Sequence, residues 1–419
     1  MAYGNGAVPE VAAAVALRLR MRMLLAVGIA VMGCADQRGD EAARAGGGDT
    51  ASSAPRRGRL ISATPIASKS DREIALALRD NGLGPTGSNA VDLYKIVYET
   101  IDPAGQKTIA SGALAIPRGV AGALPLMSYQ HGTVVNRGSV ASAYGFDVES
   151  LLFGGGGYVV ASPDYLGLGD SPGLHPYVHA ASLATAVVDM LRAARAFCAE
   201  RSVGLNGQIF LLGYSEGGYA TMAAHKAIEE EYASEFAIAA SAPMAGPYDM
   251  SGVMRDRFMS DAAYTQPFYM PYVVLAYNQV YHLADSLGAI FRAPYDKLLP
   301  GLFDGEQEGF DINRELPSQP KELFAPGYLA AFQRDSLHPL RQALRRNDLY
   351  DWTPRAPMRL YHCTADDLVP YANSEVAYNS FRSRGAAQVE LVTLSDGGHM
   401  SCGYPAIIKG KEWFDSLKK

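Results

Sequence analysis

The pentapeptide Gly213-Tyr214-Ser215-Glu216-Gly217 constrains this chain more than any other stretch. It follows directly on an apolar run, Gln208 to Leu212, and opens an alanine-rich stretch with helical spacing from Gly217 to about Tyr232. A strand, a tight turn and a helix in that order belong to a parallel sheet covered by helices. In such a turn the central Ser is held on a strained elbow with its Oγ exposed above the sheet. Glycines must flank it, because side chains there would meet the neighbouring strand and helix. As a bare pattern Gly-x-Ser-x-Gly says little in a chain with 43 glycines among 419 residues. The strand before it and the helix after it give it weight.

The rest of the chain alternates in the same way. Val91 to Tyr98 and Ile109 to Ile116 flank the turn Asp102-Pro103-Ala104-Gly105 and read as an antiparallel hairpin. Leu124 to Tyr129 and Tyr158 to Ala161 are short apolar runs of the kind found in buried parallel strands. Ala180 to Glu200 places Leu183, Val187, Leu191 and Ala194 on one helical face. Phe236 to Ala242, Met358 to His362 and Val389 to Leu394 are further strands, with helices over Asn373 to Arg384 and Tyr404 to Leu417. The expected fold class is therefore α/β, a mostly parallel sheet with helices on both faces. The alternation breaks over 249–355, a segment dense in Phe and Tyr, which reads as a mainly helical cap inserted between core parts 61–248 and 356–419. That aromatic density leads us to expect a cap favouring apolar acyl or alcohol groups.

A serine hydroxyl becomes a nucleophile only when a base takes its proton. The base belongs in a loop after the last core strand. Of the eight histidines, only His399 follows Val389 to Leu394, in the glycine-rich stretch Asp396-Gly397-Gly398-His399, read as a flexible loop. The acid belongs between Ser215 and His399 at the end of the preceding strand, where Asp366 and Asp367 stand side by side. Similar motifs use the first carboxylate, which favours Asp366 and leaves Asp367 structural or solvated. Two backbone N–H groups must face the developing oxyanion. One is assigned to Glu216, directly after the nucleophile. The other is assigned to the loop after Leu124 to Tyr129, at Thr133 in preference to Gly132 or His131.

Four stretches together resemble the α/β-hydrolase superfamily: Gln130-His131-Gly132-Thr133, Pro163 through Ser171, Gly213 through Gly218, and Thr364 through Pro370. They are most similar to its secretory-lipase-like branch of exported lipases and esterases. The resemblance spans about residues 85 to 415. It implies the α/β-hydrolase fold, a triad of Ser215, His399 and Asp366, and hydrolysis of carboxylic esters without a metal or an organic cofactor. Asp164 and Tyr165 are read as shaping a core loop. A serine peptidase of the prolyl-oligopeptidase type is a rival, since Thr364-Ala365-Asp366-Asp367 resembles those enzymes too, but no propeller domain is visible. A non-catalytic binding protein on the same fold is a second rival, against which the complete triad argues.

Cys363 lies three residues before Asp366, and Cys402 three after His399. Contact between acid and base would make their loops neighbours, so a Cys363–Cys402 disulfide is expected; the alternative is two unpaired thiols packed near the site. Cys198, within the Ala180 to Glu200 helix, reads as a small buried thiol.

The net charge of −6 and the absence of a basic stripe exclude nucleic acid as an expected partner. The N-terminus reads as an export signal over 1–33: Arg18, Arg20 and Arg22 precede an apolar stretch, Met23 to Met32, too short to span a bilayer. It ends in Val31-Met32-Gly33-Cys34, which resembles a lipobox, although Met32 is bulkier than the usual small residue. Residues 34–60, rich in Gly, Ala, Ser and charge, read as a disordered tether. The expected partners are thus an ester substrate and a membrane reached through lipid on Cys34, in the cell envelope or, failing lipidation, outside the cell. Cys34→Ala should move the protein from the membrane to the soluble fraction; fractionation showing unlipidated, fully soluble wild type contradicts the lipobox reading.

Overall fold

The computed structural model describes residues 57–84 and 89–419. Its strands are β1 (Leu60–Lys69), β2 (Val91–Ile101), β3 (Lys107–Pro117), β4 (Leu124–Gln130), β5 (Val159–Pro163), β6 (Leu205–Tyr214), β7 (Ile238–Met244), β8 (Met358–His362) and β9 (Val389–Thr393). They form one sheet in the order β1-β2-β3-β5-β4-β6-β7-β8-β9. From β5 through β9 every neighbouring pair is parallel. The first three strands run antiparallel to their neighbours, β3 pairing antiparallel with β5.

The central strands are apolar on both faces because both faces are covered. Alternate residues point opposite ways. Leu126, Ala161, Ile209 and Leu211 therefore pack with the Ala180–Glu200 helix on one side. Met127, Val160, Phe210 and Leu212 pack with the Val148–Gly155 and His399–Leu417 helices on the other. The alternation of strand and helix predicts this covered, mostly parallel sheet, and the resemblance to the α/β-hydrolase superfamily implies the same fold. The segment between β7 and β8 is mainly helical; its longest helix, Tyr269–Tyr281, is buried from Met270 to Tyr277.

Phenol hydroxyls hold this cap to the core. Tyr264 donates to the carbonyl of Leu368 at 3.0 Å, Tyr272 to that of Val134 at 3.1 Å and Tyr277 to that of Val178 at 3.0 Å. Tyr219, on the core, donates to the carbonyl of Asn347 at 2.6 Å. The aromatic density of the cap is thus largely spent on its own packing: Phe258, Tyr264, Tyr272 and Tyr277 are buried in one cluster. Density alone does not make an apolar substrate surface here.

Several elements depart from the sequence reading. The tether was drawn to residue 60, but residues 57–60 belong to the fold. Arg57 donates to the buried carboxylate of Asp189 at 3.2 Å, Gly58 N–H to the Glu99 carbonyl at 2.8 Å, and Arg59 pairs with Glu99 at 2.7 Å. These partners lie far along the chain, so local composition cannot reveal them. The remainder of the tether, the export signal and Cys34 lie outside the described residues. Strand β1 was not foreseen. It is an edge strand containing Pro65, with a register irregularity between Pro65 and Ala67, as expected where proline enters a sheet. The Asp71–Asp80 helix was also unforeseen, although Ser70 and Glu73 form a capping box that the sequence does carry.

The elbow is where the backbone packing is closest. A Cβ on Gly217 would lie 2.0 Å from the Gln130 carbonyl oxygen, and one on Gly213 would lie 2.3 Å from that of Gly217. Backbone cannot yield to such contacts without moving β4 or β6. Gly217→Ala should therefore destabilise the fold by about 3 kcal/mol, the upper range for an overpacked core. Gly132→Ala, whose added carbon meets nothing nearer than 3.5 Å, is the control. Denaturant midpoints measure both, and equal midpoints for the two variants contradict this account.

Candidate active site

Ser215 stands between β6 and the Glu216–Glu231 helix with φ 63° and ψ −124°. A non-glycine residue in this region is strained and persists only where its surroundings fix it. Two backbone bonds do so: Ser215 N–H donates to the Met244 carbonyl at 2.9 Å, and Tyr219 N–H to the Ser215 carbonyl at 3.0 Å. The side chain is lifted off the end of the sheet towards His399.

Ser215 Oγ lies 2.9 Å from His399 Nε2, and His399 Nδ1 lies 2.6 Å from Asp366 Oδ2. Asp366 is buried, which opposes its ionisation. Hydrogen bonds from His362 and His399, and the charge these rings carry when protonated, outweigh burial and hold the carboxyl at about 2. An ionised carboxylate only accepts, so Nδ1 of His399 carries a proton and Nε2 is left to accept from the serine hydroxyl. The arrangement can pass the serine proton to the imidazole when the oxygen attacks an electrophile.

The adjacent carboxylates separate by geometry. Asp366 faces the imidazole, and its Oδ1 accepts the backbone N–H groups of Leu368 at 3.0 Å and Val369 at 2.8 Å. Asp367 instead accepts the backbone N–H of His399 at 3.1 Å. That bond caps the final helix, which corrects the reading of a flexible loop around His399. The helix already begins there, as His399–Leu417. Tyr214 adds a hydroxyl bond to the His399 carbonyl at 2.7 Å.

His362 was missed as a site residue. It lies 3.2 Å from Asp366 Oδ2 through Nε2 and 2.7 Å from the Ser374 hydroxyl through Nδ1, and so braces the carboxylate from behind. Its position at the end of β8, four residues before Asp366, is the only trace of this in the sequence.

The loop after β4 passes over Ser215. A Cβ added to Gly132 would lie 3.8 Å from the Ser215 Cβ. The Thr133 hydroxyl bonds the Tyr177 hydroxyl at 2.9 Å, and its backbone N–H makes no hydrogen bond among the described residues. Glu216 N–H is the first of the helix, one of the four that have no intrahelical acceptor. All three residues assigned to an oxyanion hole thus adjoin the serine. His131 braces the loop, with Nε2 3.2 Å from the Asp164 carbonyl, and Tyr165 donates to the His131 carbonyl at 3.1 Å. Asp164 accepts from the Ser111 and Ser142 hydroxyls at 2.6 and 2.5 Å, so both residues of that motif shape the loop from below.

Two spaces meet at Ser215. An open pocket of about 390 Å³ is lined by Ser215, His399, Thr133, Tyr129, Glu149 and Tyr404, among others. A smaller cavity of about 20 Å³ lies under the cap against Met250, Met254, Phe258 and Val273.

Cys363 and Cys402 are joined by a disulfide, with Cα atoms 6.0 Å apart and 39 residues of sequence separation. The bridge ties the strand end that bears Asp366 to the helix turn that bears His399. Cys198 is free and buried, as expected of a small apolar thiol in a helix. Chain entropy for a loop of this length amounts to about 4 kcal/mol. Cys402→Ser should lower the unfolding free energy by up to that amount in urea titrations; a midpoint equal to wild type under oxidising conditions contradicts it.

Residues 131–407 match the model of the alpha/beta hydrolase family. Among solved structures, the rice cell wall degrading esterase LipA from Xanthomonas oryzae is 32% identical. Its alignment covers 85% of this chain and 96% of that one, with a TM-score of 0.77. A structure from Legionella pneumophila assigned only as a hydrolase is 30% identical over 85% of this chain and 98% of its own, with a TM-score of 0.79. Candida antarctica lipase A, at 17% identity, 87% and 84% coverage and a TM-score of 0.65, shares the fold. No curated protein matches the chain by sequence. A family match over most of the chain, with solved relatives at this identity and coverage, shows that this chain belongs to the α/β-hydrolase family and is a hydrolase.

Proposed function

We propose that the protein hydrolyses carboxylic esters through Ser215, His399 and Asp366. The unbroken chain of hydrogen bonds from the Ser215 hydroxyl through His399 to Asp366, at the wall of an open pocket, carries this reading. The likeness to an esterase at 32% identity supports the choice of ester over other acyl compounds.

In the proposed reaction Ser215 Oγ attacks the ester carbonyl while His399 Nε2 takes its proton. Asp366 stabilises the resulting imidazolium and fixes its orientation. The carbonyl oxygen becomes an oxyanion facing the N–H groups of Glu216 and of the loop at Gly132 and Thr133. His399 then returns the proton to the departing alcohol, leaving an acyl-enzyme on Ser215. Water, deprotonated by His399, attacks the acyl group and releases the acid. The peptidase alternative finds no support in the architecture: among the described residues all nine strands belong to one sheet, with no propeller. Export and lipid anchoring at Cys34 remain part of the proposal on the strength of the sequence.

Ser215→Ala should abolish turnover of p-nitrophenyl esters with the fold retained; near-wild-type turnover contradicts the assignment. The pH profile gives an independent check. Because Asp366 is held at about 2, its ionised form persists well below the usual carboxylate range. Loss of activity in mild acid should then follow a single protonation, that of the imidazole base. A second inflection near pH 4 in log kcat/KM contradicts the ionised-carboxylate account.

A further inference from the structure

The open pocket holds a carboxyl that the reaction does not use. Glu149 lies on the Val148–Gly155 helix, is only 9% exposed, and lines the same pocket as Ser215 and His399. No cation acts on it. Burial, and then the charge of neighbouring Asp147, push it up to about 8, with the Tyr129 hydroxyl beside it. Tyr404 lines the pocket too, and its phenol is pushed up to about 12 by burial first and then by Glu149 and Asp147. This wall therefore presents a carboxyl whose protonation burial favours and two phenols, which can exchange hydrogen bonds with a polar group. A buried carboxyl kept only for structure is expected to have cationic or multiple hydrogen-bond partners, as Asp189 has in Arg57, Arg192 and Thr100.

The position of the base decides which part of an ester meets this wall. His399 must protonate the departing alcohol, so the alcohol occupies the space that His399 lines. That space is the open pocket of about 390 Å³, not the smaller cavity of about 20 Å³, whose walls are largely apolar and do not include His399. Pockets of this size suit small organic groups, and their few polar atoms set orientation and choice. An alkyl alcohol would cover the Glu149 carboxyl and leave it no partner beyond the Tyr129 hydroxyl. An alcohol with further hydroxyls would supply one.

We propose that Glu149 is a specificity-determining residue, which with Tyr129 and Tyr404 receives an alcohol group bearing additional free hydroxyls. The enzyme then prefers esters of polyols to esters of simple alkanols. This rests on the ester-hydrolase reading above, and glycerol and sugar alcohols share the chemistry concerned.

The test compares kcat/KM for glyceryl monobutyrate, 6-O-butyryl glucose and ethyl butyrate in wild type, Glu149→Gln and Glu149→Leu. Wild type should favour at least one hydroxylated ester, and which one it favours identifies the source of the hydroxyls. Glu149→Leu should lower the ratio of that ester to ethyl butyrate about three- to tenfold, the scale of one lost hydrogen bond. Glu149→Gln, whose amide also donates and accepts, should keep most of the ratio. A wild type that favours ethyl butyrate overturns the proposal and needs no variant. A Glu149→Leu enzyme slowed equally on all three esters overturns it as well, since a purely structural role acts on every substrate. If wild type cleaves none of the three, the ester-hydrolase reading falls first and this one with it.

Discussion

Backbone contact at the elbow is the constraint on which the rest of this molecule depends. Three glycines around Ser215 let chain segments approach to distances that exclude any side chain. Gly213 and Gly217 lie against the Gln130 carbonyl, and Gly218 against that of Met244, where a Cβ would stand 2.1 Å away. Because β6 is held so tightly between β4 and β7, the turn has no slack, and Ser215 takes a positive φ instead of relaxing. The same closeness brings the loop after β4 over the serine. Ser215 and the loop after β4 are thus set by one packing event in the middle of the sheet.

The acid and the base are placed by a second, independent device at the other end of the sheet. β8 and β9 are neighbours, so the loops leaving their ends meet. Asp366 collects donors from His399, His362 and two backbone N–H groups, which fixes the carboxylate before any substrate is present. Asp367 caps the helix that starts at His399, and the disulfide closes the same corner covalently. Two neighbouring carboxylates therefore have unrelated tasks, one towards the imidazole and one towards the peptide that carries it. Holding the imidazole from both its ring and its backbone suits a group that must exchange a proton without changing position.

Docking onto the core accounts for part of the cap's aromatic density. Its tyrosines bury their rings together and direct their hydroxyls to backbone carbonyls of the core. A phenol supplies apolar area and one directional bond in a single side chain, so such residues can dock a layer as well as line a pocket. The polar wall of the open pocket comes from the core, through Tyr129 near the end of β4 and Glu149 on a short helix packed against the sheet.

By itself the sequence determined the elbow and the alternation of strand and helix, because these depend on local periodicity and on residues close in the chain; the order of serine, acid and base came instead from its resemblance to a known family. It also indicated the bridge, since Cys363 and Cys402 each stand three residues from a group that must meet the other. It missed β1, whose pairing partner lies on another strand and whose proline disguises it. It missed the Val148–Gly155 helix as well, because Gly154 and Gly155 read as loop until Val91 and Ile74 are seen filling the space beside them. The sequence favoured Asp366 over Asp367 by likeness to similar motifs, but only the tertiary structure gave each carboxylate its partner, placed His362 behind Asp366, and put Glu149 on the wall of the pocket that His399 also lines. The reason is physical. A side chain's chemistry is written in its own residue type, but its burial and its partners come from segments tens to hundreds of residues away, which meet it only when the sheet closes around them.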